Sequence, residues 1–206
     1  MMDPIALFST AFAFFVVAAS PGPATISNAT VAMGQGRRTG LVYGLGLSLG
    51  LTFWGLIAAS GVGALLQGSL RALTILKVLG GLYLLWLALQ SARSALRPAP
   101  STHVVSAGRN WFLRGLLLNL SNPKAVVAWM AALSVGLDPG SDAGSVAIAT
   151  AVCALIGFAT YALYAVVFSI GGMMNGYMRF RRATEGAVAA LFAAAGFGLI
   201  RSACAR

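Results

Sequence analysis

Between Trp111 and Leu137 the chain is apolar apart from Arg114 near its start, Asn119, Ser134 and one central interruption, Ser121-Asn122-Pro123-Lys124. As a helix, a run of this length can cross the hydrocarbon core of a bilayer. A lysine near its middle is costly there unless the protein satisfies its charge. Pro123 removes a backbone donor just before that lysine and breaks the hydrogen-bond ladder. In the first apolar run, Ser20-Pro21-Gly22-Pro23 makes a similar break. The other prolines, Pro4, Pro98, Pro100 and Pro139, lie at ends or in connections. Two broken spans at corresponding positions of two halves point to the binding site of a transporter.

Of the 206 residues, 59% are hydrophobic and 9% charged, with a mean hydropathy of +0.86. A soluble domain carries about a quarter charged residues, so this chain has too little charge to cover a water-facing surface. The expected fold is an all-α integral membrane protein, with residues 1–206 forming one transmembrane domain. The net charge of +10 sits in short clusters between apolar spans, the pattern of cytoplasmic loops rather than of a nucleic-acid surface. No nucleic-acid partner is therefore expected. Cys153 lies within a span and Cys204 near the C-terminus; without metal or redox spacing they read as packing residues. No metal or cofactor is expected. Asp3 and the lack of a basic leading segment make the first run a retained span rather than a cleaved signal peptide.

Six spans are the most economical count. The first runs from about Ile5 to Met33 across its break, and Arg37 and Arg38 close it. The second covers about Leu41 to Leu66, where Gly46 and Gly50 have the spacing that lets helix backbones approach closely. The third covers about Leu73 to Gln90, with Lys77 near its start and read as snorkelling to the interface. A polar linker over about 94–108, which holds the single histidine, His103, separates repeat one (about 1–93) from repeat two (about 109–206). His103 has no companion ligands and reads as a solvated loop residue. The fourth span is Trp111–Leu137. The fifth runs from about Val146 to Ile170, and Thr184-Glu185 resembles the helix start of a sixth that ends near Ile200.

Arg37, Arg38, Arg93, Arg97, Arg109, Arg114, Arg179, Arg181 and Arg182 fall on one side of these spans. The positive-inside rule makes that side cytoplasmic and puts both termini in the periplasm. With three spans each, the second half enters the membrane from the opposite face, so the halves are expected to be inverted repeats, with helices 1 and 4 the interrupted pair.

Lys124 follows Arg114 by ten residues, about 15 Å of helix, which places it near mid-membrane. No Asp or Glu lies within any expected span. Its partners are therefore carbonyls freed at the breaks, or the carboxylate of a solute; the bland alternative is a structural clamp. Asn28, Asn119 and Asn122 offer donors and acceptors at similar depth, and Ser20, Ser27 and Ser121 add hydroxyls. Helix N-termini beyond the breaks suit a carboxylate, whereas freed carbonyls and Asn oxygens suit an ammonium. Equally, these side chains could serve only to satisfy broken backbone. Tyr161 and Tyr164 could line the pathway from the facing span, and Trp54, Trp86 and Trp129 read as packing. With no embedded His/Asp/Glu cluster, an enzyme is not expected.

The motif Ser20-Pro21-Gly22-Pro23, the segment Leu76-Lys77-Val78-Leu79-Gly80-Gly81-Leu82-Tyr83-Leu84-Leu85-Trp86-Leu87, and Phe112-Leu113-Arg114-Gly115 through Asn119-Leu120-Ser121-Asn122-Pro123-Lys124-Ala125 resemble the LysE/RhtB family of bacterial amino-acid exporters. The resemblance covers nearly the whole chain. It implies an inner-membrane secondary transporter that moves amino acids or their derivatives out of the cell by alternating access, driven by the proton-motive force. Pro21, Gly22, Pro23, Asn122, Pro123 and Lys124 take the family's motif positions. With Ser20, Asn28, Asn119 and Tyr161 they make the expected substrate-binding set. Many members carry an aspartate in the second span after the glycine pair; here Gly50 is followed by Leu51. Without that acid, neutral amino acids or uncharged derivatives fit better than cationic ones. The competing readings are a non-transporting accessory membrane protein and a thiol-redox relay, the latter lacking paired cysteines at the breaks. Glycine-rich faces would permit a homodimer.

Overall fold

The computed structural model describes residues 3–68, 70–96, 110–137 and 141–204. His103 and most of the linker, Arg97 and Arg109 included, lie outside the described residues, as do Asp138, Pro139 and Gly140 of the turn after the fourth span. Seven helices follow in order: α1 (Pro4–Ala19), α2 (Pro23–Gly68), α3 (Leu70–Leu96), α4 (Trp111–Leu120), α5 (Pro123–Gly136), α6 (Ala143–Phe168) and α7 (Met173–Cys204). Among the described residues there is no strand.

The polarity of the molecule is reversed relative to a protein in water. Phe8, Leu155 and Phe197 are each about two-thirds exposed, while Asn28 and Asn119 are fully buried. Apolar side chains outward and polar ones inward suit a hydrocarbon solvent, where each backbone group must be satisfied within the helices. Buried hydroxyls obey the same constraint: Thr10, Ser48 and Thr150 donate to carbonyls one turn back in their own helices. Ala143–Phe168 and Gly176–Cys204 are long and apolar enough to cross a membrane, and so by length and composition is Pro23–Ser60, which turns back at Gly36. The pair Trp111–Leu120 and Pro123–Leu133, bent by 64°, makes a fourth if taken as one broken span. The chain is thus a multi-pass membrane protein.

Helix α2 is two helices. Gly36 has φ 84° and ψ 169°, a backbone region open essentially to glycine alone, and the chain reverses there. Ser27 Oγ and Tyr43 Oη are 3.0 Å apart, and Gly40 packs against Ala32. Those pairs flank Gly36 as the two limbs of a hairpin do. The first limb, residues 23–35, follows the first break; the second, residues 37–68, covers the residues expected for the second span, about Leu41 to Leu66. Arg37 and Arg38 stand at the reversal, as their charge suggested.

Small residues set the tightest helix contacts. A Cβ added at Gly46 would collide with the backbone of Phe112, and one at Gly115 with the backbone of Tyr43. The second limb of α2 therefore lies directly on α4, which accounts for the glycine spacing. Two large apolar clusters result, beside a small one of Ala29, Ala32, Ala165 and Phe168. One joins Phe14, Leu47, Trp129, Leu133 and Cys153 from α1, α2, α5 and α6. The other joins Val17, Leu84, Ala131, Phe192 and Leu199 from α1, α3, α5 and α7. The short helices α1 and α5 contribute to both and so lie between them.

Two details differ from the sequence reading. Helix α7 begins at Met173, after Gly172 in a left-handed conformation (φ 85°), not at Thr184-Glu185. Thr184 donates to Phe180 O inside the helix and Glu185 pairs with Arg181, so both are interior residues. Lys77 is buried within α3 rather than reaching outward. At the mouth of α6, Asp142 caps the helix by accepting from Ser145. Those hydrogen bonds, side chain and backbone, hold its carboxyl below the usual carboxylate range.

Gly46→Ala is expected to lower the thermal midpoint of the detergent-purified protein, at a cost of about 1–3 kcal/mol for overpacking. Gly198→Ala, where a Cβ meets nothing within 4 Å, is expected to be neutral or to raise it. A differential scanning fluorimetry melt of both variants makes the comparison.

Candidate functional site

The two breaks meet. Lys124, at the start of α5, extends its ammonium to Ser20 O at 3.0 Å and Ser20 Oγ at 2.5 Å, with Pro21 O at 3.5 Å. Lys124 is half-buried and Ser20 wholly so. Gly22 lets the lysine lie close, since a Cβ there would stand 3.0 Å from its nitrogen and 3.3 Å from its Cδ.

Four of the carbonyls at the breaks can be traced to a new partner. Pro21 cannot donate to Val17 O, which takes the Ser20 hydroxyl at 2.7 Å instead. Pro23 cannot donate to Ala19 O, which takes Tyr164 Oη at 2.8 Å from α6. Pro123 cannot donate to Asn119 O, which takes Asn122 N at 3.2 Å. Lys124 N turns to its own cap, Asn122 Oδ1, at 3.1 Å, and Leu120 O is met by Trp54 Nε1 at 3.0 Å from α2. Proline at the first helical position and asparagine at the cap explain why α5 restarts at once.

A buried polar network lies beside the breaks. Asn119 Nδ2 donates to Leu47 O at 2.7 Å and Tyr161 Oη at 3.1 Å, while its Oδ1 accepts from Asn122 Nδ2 at 3.1 Å. Asn28 Nδ2 donates to Tyr161 O at 2.7 Å, and Asn28 Oδ1 is buried without a partner among the described residues. Trp129 Nε1 donates to Leu51 O at 2.7 Å.

Lys124 and Asn122 lie on the walls of two cavities. The smaller, about 20 Å³, is also lined by Gly22, Asn119, Leu51 and Tyr161, and has room for about one water. The larger, about 600 Å³, is also lined by Pro21, Gly22, Pro23 and Pro123, and extends along α3 and α7 to Ser94, Arg181 and Glu185. Its size is that of a small-molecule site.

Of the ten residues expected to bind substrate, eight line one cavity or the other: Pro21, Gly22, Pro23, Asn119, Asn122, Pro123, Lys124 and Tyr161. Ser20 and Asn28 are outside these two linings and hydrogen-bond to Lys124 and Tyr161. Ser121 is exposed at the outside of the break. The sequence reading missed Thr25, whose buried hydroxyl accepts from Gly22 N at 2.9 Å. It also took Arg181 for a charge that only sets orientation. Arg181 and Glu185 are both buried and paired at 2.9 Å; their opposite charges four residues apart on one helix were the available signal.

The family model for LysE type translocators matches residues 15–203. The threonine efflux protein of Escherichia coli K12 is 35% identical over 206 positions, covering 95% of this chain and 98% of that protein. That of Salmonella typhi is 34% identical over 204, covering 95% and 97%. A homoserine/homoserine lactone efflux protein of Salmonella typhimurium is 37% identical over 118 positions, covering 55% of each chain. No solved structure gives a significant match.

Asn119→Leu strips the partners from buried Tyr161 Oη and Asn122 Nδ2, and is expected to cost about 2 kcal/mol or more. Ser27→Ala, which loses two partly buried hydrogen bonds, to Ala24 O and Tyr43 Oη, is expected to cost about 1 kcal/mol or less. Thermal midpoints in detergent check the order.

Proposed function

From its place in the LysE type translocator family, to which the chain belongs, we propose that it is a secondary transporter exporting neutral amino acids or their uncharged derivatives across the bacterial inner membrane. One observation carries this reading: a lysine ammonium held where two broken helices meet, on the wall of a cavity of about 600 Å³. The solute carboxylate takes the ammonium, and Asn122, Asn119 and Tyr161 add donors and acceptors around it. Gly22 and the prolines at positions 21, 23 and 123 shape the cleft, while Ser20 and Asn28 hold Lys124 and Tyr161 in place. The relatives' cargoes, threonine, homoserine and its lactone by name, are small and carry no side-chain charge, which agrees with an apolar Leu51 after the glycine pair.

The proposal includes six spans in a single domain, arranged as inverted repeats of about 1–93 and 109–206 joined by a cytoplasmic linker, with both termini periplasmic. A set of exchanged hydrogen bonds supports the repeat. Trp54 of the second span serves Leu120 at the second break, and Tyr164 of the fifth serves Ala19 at the first. Trp129 beyond the second break serves Leu51, and Asn28 beyond the first serves Tyr161. The paired positions in the broken helices, 19 with 120 and 28 with 129, are each 101 residues apart. Those in the facing helices, 54 with 164 and 51 with 161, are each 110 apart. One exchange of halves relates both pairs of bonds. The larger cavity extends toward the helix ends that carry Arg93, Arg179 and Arg182, so in this topology it faces the cytoplasm and loads cargo for export. Alternating access driven by the proton-motive force completes the cycle, and glycine faces leave room for a homodimer.

Lys124→Ala is expected to abolish efflux of preloaded labelled amino acids from cells while membrane insertion stays at the wild-type level; full efflux in that variant removes the lysine from the mechanism. A panel of labelled amino acids in the same assay is expected to favour small neutral ones. A protonophore is expected to stop the export. Reporter fusions after Arg38, Arg97 and Arg182 are expected to score cytoplasmic, and a periplasmic score at Arg97 overturns the topology.

A further inference from the structure

Among the residues lining the larger cavity, the charged ones are Lys124, Arg181 and Glu185. Lys124 recognises an anion, which leaves Glu185 as the one carboxylate on these walls. Arg181 Nε donates to Glu185 Oε1 at 2.9 Å, and its Nη2 donates to Ser94 O at 2.8 Å and Ser94 Oγ at 2.9 Å. Nη1 makes no hydrogen bond among the described residues. Both residues are more than nine-tenths buried. Burying an ion pair forfeits hydration that the pairing recovers only in part, so stability alone gives such a pair little reason to line a cavity.

The dimensions matter. Along α7 the lining runs from Tyr177 to Phe192, fifteen residues and about 22 Å of helix. The ammonium and carboxylate of an amino acid are joined through one carbon by bonds of about 1.5 Å. A single head group cannot reach from one end of that wall to the other. Its opposite charges are, however, spaced much like the nitrogen and oxygen of the Arg181–Glu185 pair. On the α3 side of the same cavity Tyr83 Oη is buried without a partner among the described residues.

We propose that Arg181 and Glu185, braced by Ser94, form a second binding station for the zwitterionic head group of the cargo, on the cytoplasmic approach to Lys124. The α-carboxylate lies on the guanidinium fork, which binds carboxylates through parallel donors, and the α-ammonium lies on Glu185. Each charge of the resting pair then gains an opposite partner, so the exchange introduces no net charge into the cavity. Cargo passes from this station to the deeper one by giving up the ammonium contact last, because Lys124 can replace only the carboxylate contact. The inference rests on the exporter reading above and names the residues that first recognise its substrate.

Purified protein in proteoliposomes, with tritiated threonine as the probe, tests this. Glu185→Gln is expected to raise the KM for efflux at least tenfold with kcat within about twofold of wild type. Lys124→Ala is expected to lose kcat. Binding by scintillation proximity is expected to saturate near two threonines per wild-type chain and near one in Glu185→Gln. Ser94→Ala, which keeps both charges and the backbone contact but loses the hydroxyl brace, is expected to keep two sites and to raise KM by much less than Glu185→Gln. Wild-type saturation at one, or an unchanged KM in Glu185→Gln, overturns the second station. So does a Ser94→Ala defect equal to that of Glu185→Gln, which makes the cluster a structural latch. Should Glu185→Gln fail to fold, Glu185→Asp is expected to retain two sites with a smaller rise in KM, and a single site in that variant counts against the proposal. If wild-type protein moves no amino acid at all, the exporter reading itself has failed; transport with an unaltered Glu185→Gln removes only the station.

Discussion

A carbonyl without a donor is the constraint on which the rest of this structure depends. In hydrocarbon no water can satisfy it, and each orphan costs several kcal/mol or about that order. Two helices are broken at prolines, and the molecule brings donors to four of the carbonyls there: the Ser20 hydroxyl, the Tyr164 phenol, the Trp54 indole and the Lys124 ammonium. Three of these four come from another helix or from the other break. Satisfying the backbone therefore also fixes how α1, α2, α5 and α6 sit against one another, so the tertiary arrangement and the site share one cause.

Lysine is suited to this position for two separable reasons. Its four-carbon stem carries an ammonium from α5 across to Ser20, and its three donors can meet two carbonyls and a hydroxyl at once. That describes the clamp. Yet the same ammonium lies on the wall of a cavity of about 600 Å³ rather than in a sealed core. A clamp needs no cavity. In the proposed cycle an arriving carboxylate competes with Ser20 and Pro21 for the lysine, so binding cargo loosens the tie between the breaks. Clamp and binding site then become two states of one contact rather than rival descriptions.

How much of this could be read in the residues follows from which features leave a local mark. The breaks, the embedded lysine and the hairpin at Arg37-Arg38 were legible because proline, charge and apolar run length act within a few residues. Gly46 and Gly50 were legible as packing positions because spacing alone carries that meaning. The indoles of Trp54 and Trp129 were not, since an inward tryptophan that packs and one that donates to a carbonyl of another helix look the same in a single chain. Arg181 and Glu185 were hidden for a different reason: a basic cluster at a span end already has an explanation in membrane orientation. The start of α7 was misplaced because Thr184-Glu185 imitates a cap, whereas the true start depends on Gly172 turning left-handed.

The exchanged bonds carry the synthesis one step further. If halves related by inversion build both sides of the centre, what one side does in the present conformation the other can do in its counterpart. The two large clusters of apolar residues are the natural moving bodies, since α3 packs chiefly on α7, while α2 packs on α4 and α6. Helices α1 and α5 belong to both clusters, so a shift between the bodies must pass through them, and their breaks are where bending is least resisted. The donors that satisfy the breaks from the facing helices, Trp54 and Tyr164, sit on the α2 and α6 side of that divide. They can stay bonded while the α3–α7 pair swings, so the breaks need not be exposed to hydrocarbon during the motion. A pair of interrupted helices tied by hydrogen bonds on one side and by apolar packing on the other is a workable hinge, and the cavity between α3, α7 and the breaks is the space such a hinge would open and close.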